Sequence, residues 1–483
     1  MNTNLTASQK DFAIFTPALS TFFSTYVGKQ QVEEYVEKSR IPNGFFNGVE
    51  GMNYLNAALG YFQYKWSLYS AGHANIDITA NDPKERMITR RDRQNSFILT
   101  DSGGFQIAGG KWPADWSNPN CPIAQKKRSQ VLSWMDTNAD YSITLDIPAW
   151  VCRNEEGKKN TGITSYAGAL AATKINNDYF INNRNGNCKF LNVLQGENHT
   201  EADSWYDEVK DYCNPSKYPG HFNGYAFGGQ NRADPHLILR RLMYLKWEGL
   251  LEPGIHDWIH FLGTSKLEFS VMFTDLQRAI RRNHNPNLTI SYDCASPFLA
   301  TANGQVYYEI SLKDRGKWSY KMGPSADDKK YSTDNRSFRD AVLQDKIYKH
   351  FEETPISSKL KISDICYYAK GDLNKNGKEG KTSWDSFAYT LLMSHNVYLH
   401  ISAVQRANEM YDQGFIPKML VEESHQIIKW RDIVNKAFEA KSLTSALAII
   451  DKYDKFYLQI MGPSGHIGKK TFNATTQFNK FFK

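Results

Sequence analysis

The chain of 483 residues is long enough for more than one domain of about 100–200 residues. Its 58 Lys and Arg against 51 Asp and Glu give a net charge of +7, which fits a polyanionic partner without implying one. Six scattered cysteines without a Cys-x-x-Cys pair argue against a disulfide framework and favour a reducing compartment. We find no leader peptide and no apolar run of about 20 residues, so we expect a cytoplasmic protein without a membrane anchor.

The first chemically informative segment lies at residues 97–106. Residues 1–95 are aromatic-rich, and we expect them to hold the first two strands of the fold. A strand at 97–100 then delivers Asp101, two glycines, Phe105 and Gln106 to its carboxyl end. Glycine lets backbone approach a ligand closely, a ring can stack on a flat base, and a carboxylate can move protons. Asp-Ser-Gly-Gly alone is also a good turn, so the rest of the chain decides between these interpretations.

Five more apolar runs follow, and each ends in a residue with useful chemistry. The last residues of these runs are Asp146, Gln195, Gly229, Gly263 and Asp293. Each interval has room for a loop and a helix, and residues 265–282 carry a helical apolar pattern. Strands that alternate with helices predict a parallel sheet, and polar residues at their carboxyl ends are typical of a (β/α)₈ barrel active site. We therefore predict an α/β fold with a TIM barrel in residues 1–310.

The remainder of the chain differs in composition. Residues 311–384 are polar and rich in Lys and Asp, which predicts an insertion with long loops. Residues 385–483 are predicted as a helical C-terminal region. The expected helices span about 384–410, 421–438 and 443–461.

The predicted strand ends offer a specific set of chemical groups. Asp101 and Asp293 suit a displacement at a sugar carbon, in which one carboxylate attacks the anomeric centre and the other handles protons. A carboxylate at Asp146, the amide of Gln195 and a backbone N–H of Gly228 or Gly229 match the hydrogen-bonding edge of a guanine-like base. A sugar hydrolase would use the same pair of carboxylates, but it would more often call for several Trp platforms.

In these residues the chain resembles the guanine transglycosylases of queuosine-type modification. Those barrel enzymes exchange a guanine in a polynucleotide for a 7-deazaguanine base. The resemblance covers about residues 96–306 and returns near 384–405. It rests on six segments in order, which are Asp101–Gln106, Leu145-Asp146, Leu194-Gln195-Gly196, Gly224–Gly229, Leu262-Gly263 and Tyr292-Asp293-Cys294 with Pro297 and Asn303-Gly304-Gln305.

The resemblance implies a role for each matching residue. Asp293 would be the nucleophile at C1′, and Asp101 would be the general base for the incoming base. The heterocycle would be held by Asp146, Gln195 and Gly229, beside Gly228, and stacked between Phe105 and Leu262. No cofactor is implied, because a glycosidic bond is exchanged and not made anew.

One departure from the family bears on the substrate. The tRNA enzymes carry Thr-Arg-Ser-Gly-Arg where this chain has residues 298–302, Phe-Leu-Ala-Thr-Ala, and so lacks two guanidiniums that help to read the anticodon. This favours the DNA branch of the superfamily, in which phage and bacterial enzymes place preQ0-like bases in DNA and make it resistant to restriction. A phage enzyme would act in the host cytoplasm. A divergent tRNA-guanine transglycosylase, or a non-catalytic partner subunit of one, remain the alternatives.

Basic clusters supply candidates for contact with nucleic acid. We single out Arg90, Arg91, Arg281 and Arg282.

A second departure concerns metal. The family's zinc ligands, Cys-x-Cys-x-x-Cys and a later His, correspond here to Asp364, Cys366, Ala369 and His395. One Cys and one His are remnants at best, so we predict no metal site. Residues 372–377 imitate half of a calcium loop, but Ser383 stands where its Glu is needed, and we interpret the segment as a turn.

Overall fold

The structure confirms the predicted barrel of eight parallel strands, in which the strands form from short apolar runs of the sequence. The computed structural model describes residues 1–30, 36–79, 85–339, 351–367, 382–422 and 427–461. The barrel strands are β1 Ile14–Pro17, β2 Trp66–Ser70, β3 Phe97–Asp101, β4 Tyr141–Ile143, β5 Lys189–Leu194, β6 Gly224–Phe227, β7 Trp258–Phe261 and β8 Thr289–Cys294. Their order is β1-β8-β7-β6-β5-β4-β3-β2. The two predicted but unplaced strands are thus β1 and β2.

The barrel is nearly closed at the seam between β1 and β2. There the two strands meet through one parallel bridge between Ala18 and Leu68, and Leu19 N–H donates to the carbonyl of Leu68 at 2.9 Å. On the other side of β1, four consecutive residues pair with β8, from Ile14 opposite Ser291 to Pro17 opposite Cys294. The strand that carries Asp293 is therefore held on both sides.

Helices separate the strands and cover the barrel. They are α1 Thr21–Gln30, α2 Arg86–Thr89, α3 Gly104–Ala108, α4 Pro122–Asn138, α5 Glu155–Thr161, α6 Tyr166–Asn183, α7 His199–Val209, α8 Pro235–Trp247, α9 Leu267–Asn283, α10 Ser296–Ala302, α11 Ile362–Ile365, α12 Ser386–Asp412, α13 Lys429–Glu439, α14 Leu443–Asp451 and α15 Asp454–Met461. Side chains cap the amino-terminal ends of several helices. Asp234 accepts from two N–H groups of α8, and Asp385 accepts from the N–H of Ala388 in α12.

Aromatic rings fill the amino-terminal end of the barrel interior. Trp258 of β7 stacks on Phe97 of β3 with ring centroids 4.8 Å apart, and it contacts Tyr141 of β4 at 4.9 Å. Because these rings occupy the bottom of the barrel, the polar side chains of the same strands are placed above them, toward the carboxyl ends. Aromatic side chains therefore fill the amino-terminal end of the barrel interior, and the polar side chains lie at its carboxyl end.

The region after β8 differs in part from the prediction. Strands β9 Gln305–Ser311 and β10 Ser319–Pro324 form an antiparallel hairpin. β9 lies at the end of the region predicted as barrel, and β10 lies in the insertion that was predicted to have long loops. The helix predicted over 443–461 is divided into α14 and α15 by a turn at 452–453. The calcium-loop-like residues 372–377 lie outside the described residues.

Helix α12 is central to the molecule, because it packs against α1, α9 and β1 and is buried along most of its length. It therefore packs on the barrel next to α9 and α1, although it belongs to the region predicted as C-terminal. None of the described helices is both long enough and apolar enough to cross a bilayer.

Candidate active site

A cavity of about 1190 Å³ opens at the carboxyl ends of the strands. This is the expected position for a barrel active site. All eight residues that the sequence assigns to catalysis or base binding line it, namely Asp101, Phe105, Asp146, Gln195, Gly228, Gly229, Leu262 and Asp293. The cavity is larger than one base needs, so part of it has room for more of a substrate.

Asp101 ends β3 in a network that suits a proton carrier. The Ser70 hydroxyl lies 3.0 Å from Asp101 Oδ2 and 3.3 Å from Gln106 Oε1, and Gln106 Nε2 lies 3.3 Å from His73 Nε2. When Asp101 is ionised, Ser70 can donate to it. When Asp101 is protonated, Ser70 can accept from it and donate to Gln106. Burial, with a smaller contribution from the charge of Asp293, raises the pKa of Asp101.

Asp146 and Gln195 form a buried pair at the ends of β4 and β5. Gln195 Nε2 donates to Asp146 Oδ2 at 2.8 Å. Burial, and the nearby charge of Asp101, raise the pKa of Asp146 to about 7. Among the described residues, the buried Gln195 Oε1 has no hydrogen-bond partner. An open acceptor beside a carboxylate can take the N–H groups of a ligand.

Two glycines after β6 leave room for this pair. A Cβ on Gly228 would lie 2.7 Å from Gln195 Nε2, and Gly229 has a φ of +52°. Gly228 N–H is already used by the carbonyl of Leu194 at 2.9 Å. Gly229 begins a short 3₁₀ turn, where the first N–H groups have no partner within the turn. Gly229 is therefore the better donor to a ligand.

Asp293, on β8, is held from the neighbouring strand β7. Its Oδ1 accepts from Gly263 N–H at 2.7 Å and lies 3.2 Å from His260 Nε2. The sequence analysis missed His260. Strand alternation could have found it, because His260 shares a face with Leu262 and stands opposite Ser291, which shares a face with Asp293.

The aromatic and cationic groups around the cavity complete the site. Phe105 lies beside Trp150, with ring centroids 5.7 Å apart, and both are half-buried lining residues. Arg232 Nη1 donates to the carbonyls of Leu262 and Gly263, at 3.0 and 3.2 Å, and so supports the loop after β7. Other cationic side chains at the cavity are Lys111 and Lys266. The sequence analysis did not identify these three cationic side chains, because they lie in connecting segments that carry no recognised motif.

The segment that differs from the tRNA enzymes forms α10. Phe298, Leu299 and Ala302 of this helix line the cavity together with Phe22 and Tyr389, whose rings pack edge to face at 4.9 Å. This side of the cavity is therefore apolar. It offers apolar stacking surfaces at the positions where the tRNA enzymes have arginines that make polar contacts.

The four arginines singled out from the sequence do not line the cavity. Arg91 is buried, pairs with Asp140 at 2.9 Å and donates to the carbonyl of Asn138 at 3.2 Å, so it holds the turn before β4. Arg281 donates to the carbonyl of Leu288 at 2.6 Å. Arg90 and Arg282 are exposed. Their contact with nucleic acid stays a prediction, whereas Arg91 has a structural role.

The residues at the zinc positions do not fit a zinc site. His395 is fully buried, with Nδ1 2.9 Å from the Thr354 hydroxyl and Nε2 2.8 Å from the carbonyl of Tyr307. Burial lowers the pKa of His395 to about 4. The Cys366 thiol lies 3.4 Å from the carbonyl of Ala326, and Ala369 is outside the described residues. No group of three or more His, Cys, Asp or Glu side chains in the described ranges is placed to hold a metal ion.

The fold defines the class of the protein as a TIM-barrel-like α/β protein with an acidic site at the carboxyl ends of its strands. In comparisons with known proteins, no family model matches the sequence, and the search of curated proteins gives no significant match. A finer assignment therefore depends on the motifs and the geometry of the site.

Proposed function

We propose that this protein is a DNA-guanine transglycosylase that exchanges guanine in DNA for a 7-deazaguanine base such as preQ0. The observation that carries the proposal is the buried Asp146–Gln195 pair, whose Gln195 Oε1 has no hydrogen-bond partner in the described residues, in one cavity with Asp101 and Asp293. A site for hydrolysis of a sugar chain has no need of a buried carboxylate and amide beside the catalytic carboxylates. A site for guanine exchange needs both.

Recognition of the base follows from the donors and acceptors of this pair. The N1–H and exocyclic amine of a guanine-like base are adjacent donors, and an ionised Asp146 accepts from both. Gly229 N–H would donate to the carbonyl oxygen of the base. Phe105 and Leu262 line the cavity and would stack on its two faces. A 7-deazaguanine presents the same edge, so both bases fit one site.

The exchange takes place in two displacements at C1′. In the first, an oxygen of Asp293 attacks C1′, the C1′–N9 bond breaks, and its electron pair leaves with guanine, which takes a proton from Asp101. In the second, N9 of the incoming base attacks C1′ and the bond to Asp293 breaks, while Asp101 takes the N9 proton. The raised pKa of Asp101 favours the proton-bearing form that the first step requires. Two inversions retain the configuration of the nucleoside.

The choice of DNA is supported by α10. Its apolar residues, Phe298, Leu299 and Ala302, suit a stacked neighbouring base better than they suit the polar edges of an anticodon loop. The target guanine must leave the helix stack to enter a barrel mouth, so a flipped nucleotide or a single strand is required. Lys111 and Lys266 at the same cavity would neutralise the flanking phosphates.

The test is to incubate the purified protein with a radiolabelled 7-deazaguanine base and, in parallel, with duplex DNA, single-stranded DNA and total tRNA. We expect label in DNA and release of an equal amount of guanine. Label in tRNA alone would indicate that tRNA, and not DNA, is the substrate. Release of free base without incorporation would indicate a hydrolase, and no reaction would favour a non-catalytic partner subunit.

A further inference from the structure

The carboxylate of Asp293 is held through one of its two oxygens. Oδ1 accepts from Gly263 N–H at 2.7 Å and faces His260 Nε2 at 3.2 Å. Within the described part of the chain, both of these contacts of the Asp293 carboxylate are made by Oδ1. One oxygen is therefore fixed by β7 and the loop after it, and the other is left for the cavity that Asp293 lines.

The partners of His260 determine which ring nitrogen carries the proton. The indole N–H of Trp258 can only donate, and it donates to Ser291 Oγ at 2.7 Å. Ser291 Oγ also lies 2.8 Å from His260 Nδ1. Because one lone pair of Ser291 Oγ accepts from Trp258, the hydroxyl proton of Ser291 points toward His260 Nδ1. The imidazole then bears its proton on Nε2, where it donates to Asp293.

The opposite tautomer is unfavourable here. It would point a lone pair of Nε2 at the carboxylate and leave the Ser291 proton without this acceptor. A proton on both ring nitrogens would likewise leave the Ser291 hydroxyl proton without this acceptor, in a position where neither His260 nor Ser291 has exposed surface. The Nε2–H form is the one that satisfies all three side chains.

We propose that His260 is a positioning residue, set as its Nε2–H tautomer by Ser291 and Trp258, that holds Oδ1 of Asp293 and presents Oδ2 as the attacking atom. The attack itself rests on the proposed transglycosylase function. In the covalent intermediate Oδ2 would bond to C1′ and Oδ1 would be the ester carbonyl. When the C1′–Oδ2 bond breaks, charge returns to the carboxylate, and the two donors on Oδ1 stabilise it.

The tautomer is tested without any substrate. The full chain is prepared with ¹⁵N-labelled histidine, and the His260 signals are identified by their loss in His260→Gln. We expect a protonated Nε2 and an unprotonated Nδ1 in the wild type, and a mixture of tautomers in Ser291→Ala. A protonated Nδ1 in the wild-type protein, alone or with Nε2, would overturn the proposal.

The positioning role is tested by base exchange and by the yield of the covalent protein–DNA adduct on denaturing gels. We expect His260→Leu to lower the rate of exchange by about 100-fold with little change in KM. His260→Gln, whose amide can donate to Asp293, should recover most of the rate. Ser291→Ala should lie between the two.

Two matched variants control for the loss of a buried polar group. His256 is also fully buried, with Nε2 2.8 Å from the carbonyl of Cys213, and Ser67 on β2 donates to the carbonyl of Pro17 at 2.8 Å. His256→Gln and Ser67→Ala should exchange base at the wild-type rate per folded molecule. His260→Leu at that same rate would overturn the positioning role. A wild-type protein that exchanges no base would instead overturn the proposed function, and the NMR result would still decide how Asp293 is held.

Discussion

The cavity at the barrel mouth and the interface beneath α12 both bury polar side chains, but they satisfy them differently. Under α12, His395 uses both ring nitrogens. Its neighbour Asn396 accepts from Tyr307 N–H at 2.8 Å and donates to the Thr301 hydroxyl at 2.9 Å. At the mouth, Gln195 uses its amide nitrogen while its oxygen has no partner in the described residues. His395 and Asn396 thus have partners for their polar atoms without a ligand, whereas Gln195 Oε1 has none in the described residues; Ser394 Oγ and His400 Nδ1 of α12 are also buried without a hydrogen-bond partner among those residues.

The same difference is visible in the ionisable groups. His395 is kept neutral by burial, and its neutral form is the one that its two partners require. Asp101 and Asp146 are also pushed toward their neutral forms by burial, yet the proposed roles of both need the charged form as well. The buried His395 therefore has partners for its neutral form, whereas the proposed roles of Asp101 and Asp146 require each carboxyl group to change its charge.

The largest expected effect concerns the nucleophile. Asp293→Ala should lower base exchange by at least about 10⁴-fold and abolish the covalent adduct with DNA, because the bond to C1′ is proposed to form on this carboxylate. Denaturing gels with labelled DNA measure the adduct. Asp136→Asn is the matched control, since Asp136 is a buried carboxylate of α4 that does not line the cavity. An adduct in the Asp293→Ala protein would assign the nucleophile elsewhere.

The next effect concerns the proton carrier. Asp101→Asn should lower exchange by about 10²–10⁴-fold, because neither the leaving nor the incoming N9 then has a proton partner. Ser70→Ala keeps the carboxylate and removes its hydroxyl partner, so it should have a smaller effect. Rapid-quench measurement of guanine release separates the two displacements. Equal rates in Asp101→Asn and Ser70→Ala would contradict the assigned role.

A third effect concerns the base-binding carboxylate. Asp146→Asn should raise the KM for the base by about 10–100-fold, since an amide offers donors where the base also donates. The wild-type affinity should fall as the pH is lowered through about 7, where Asp146 becomes protonated. The variant should lack this pH dependence. Titration of the labelled base at several pH values measures both, and a pH-dependent Asp146→Asn protein would show that another group titrates.

The same substitution should stabilise the free protein. The pKa of Asp146 is raised in the folded state to about 7, so the wild type loses stability as the pH rises from the unfolded value, about 4, to about 7. Each unit of difference is worth about 1.4 kcal/mol, so Asp146→Asn should gain up to a few kcal/mol at pH 8 and nothing below pH 4. Urea unfolding at both pH values measures it. A loss of stability at pH 8 would contradict the account.

The smallest effect on activity is expected under α12. His395→Leu should cost about 2–3 kcal/mol in the free energy of unfolding, because the Thr354 hydroxyl and the Tyr307 carbonyl lose their partner. The exchange rate per folded molecule should stay at the wild-type value. A strong chelator should leave the melting temperature of the wild type unchanged. A melting point lowered by the chelator would reveal a metal that the described residues do not hold.

The strands with polar ends could be predicted because a barrel strand is buried on both faces and appears as an apolar run. The strands β1 and β2 could not be placed, since β1 is only four residues long and ends in Pro17, and serines interrupt β2 at Ser67 and Ser70. The hairpin β9–β10 was not predicted. Three of the six residues of β10 are exposed and give that strand the polarity of a loop, whereas β9 lies at the end of the region predicted as barrel.

The sequence predicted those site residues that belong to the motifs at the strand ends. The strand-end motifs identified the eight residues that the structure brings to one cavity. They did not identify His260, Ser70 or Arg232, which hold the other residues in place and whose partners are distant in sequence. The four arginines taken from basic clusters do not line this cavity, since a run of charge does not reveal where on the barrel it lies, and their contact with nucleic acid stays a prediction.

The seam of the barrel also sets the order of events during synthesis. Ile14 on β1 finds its partner only when Ser291 on β8 has been made, and α12 later fixes the first residues, as when Gln405 Nε2 donates to the carbonyl of Leu5 at 2.7 Å. Until then β1 and β7 are open sheet edges, which favour misassembly. Such non-local pairing folds slowly. A nascent chain therefore contains Asp101, Asp146 and Gln195 long before Asp293 is made, and the proposed exchange would begin only after α12 has left the ribosome.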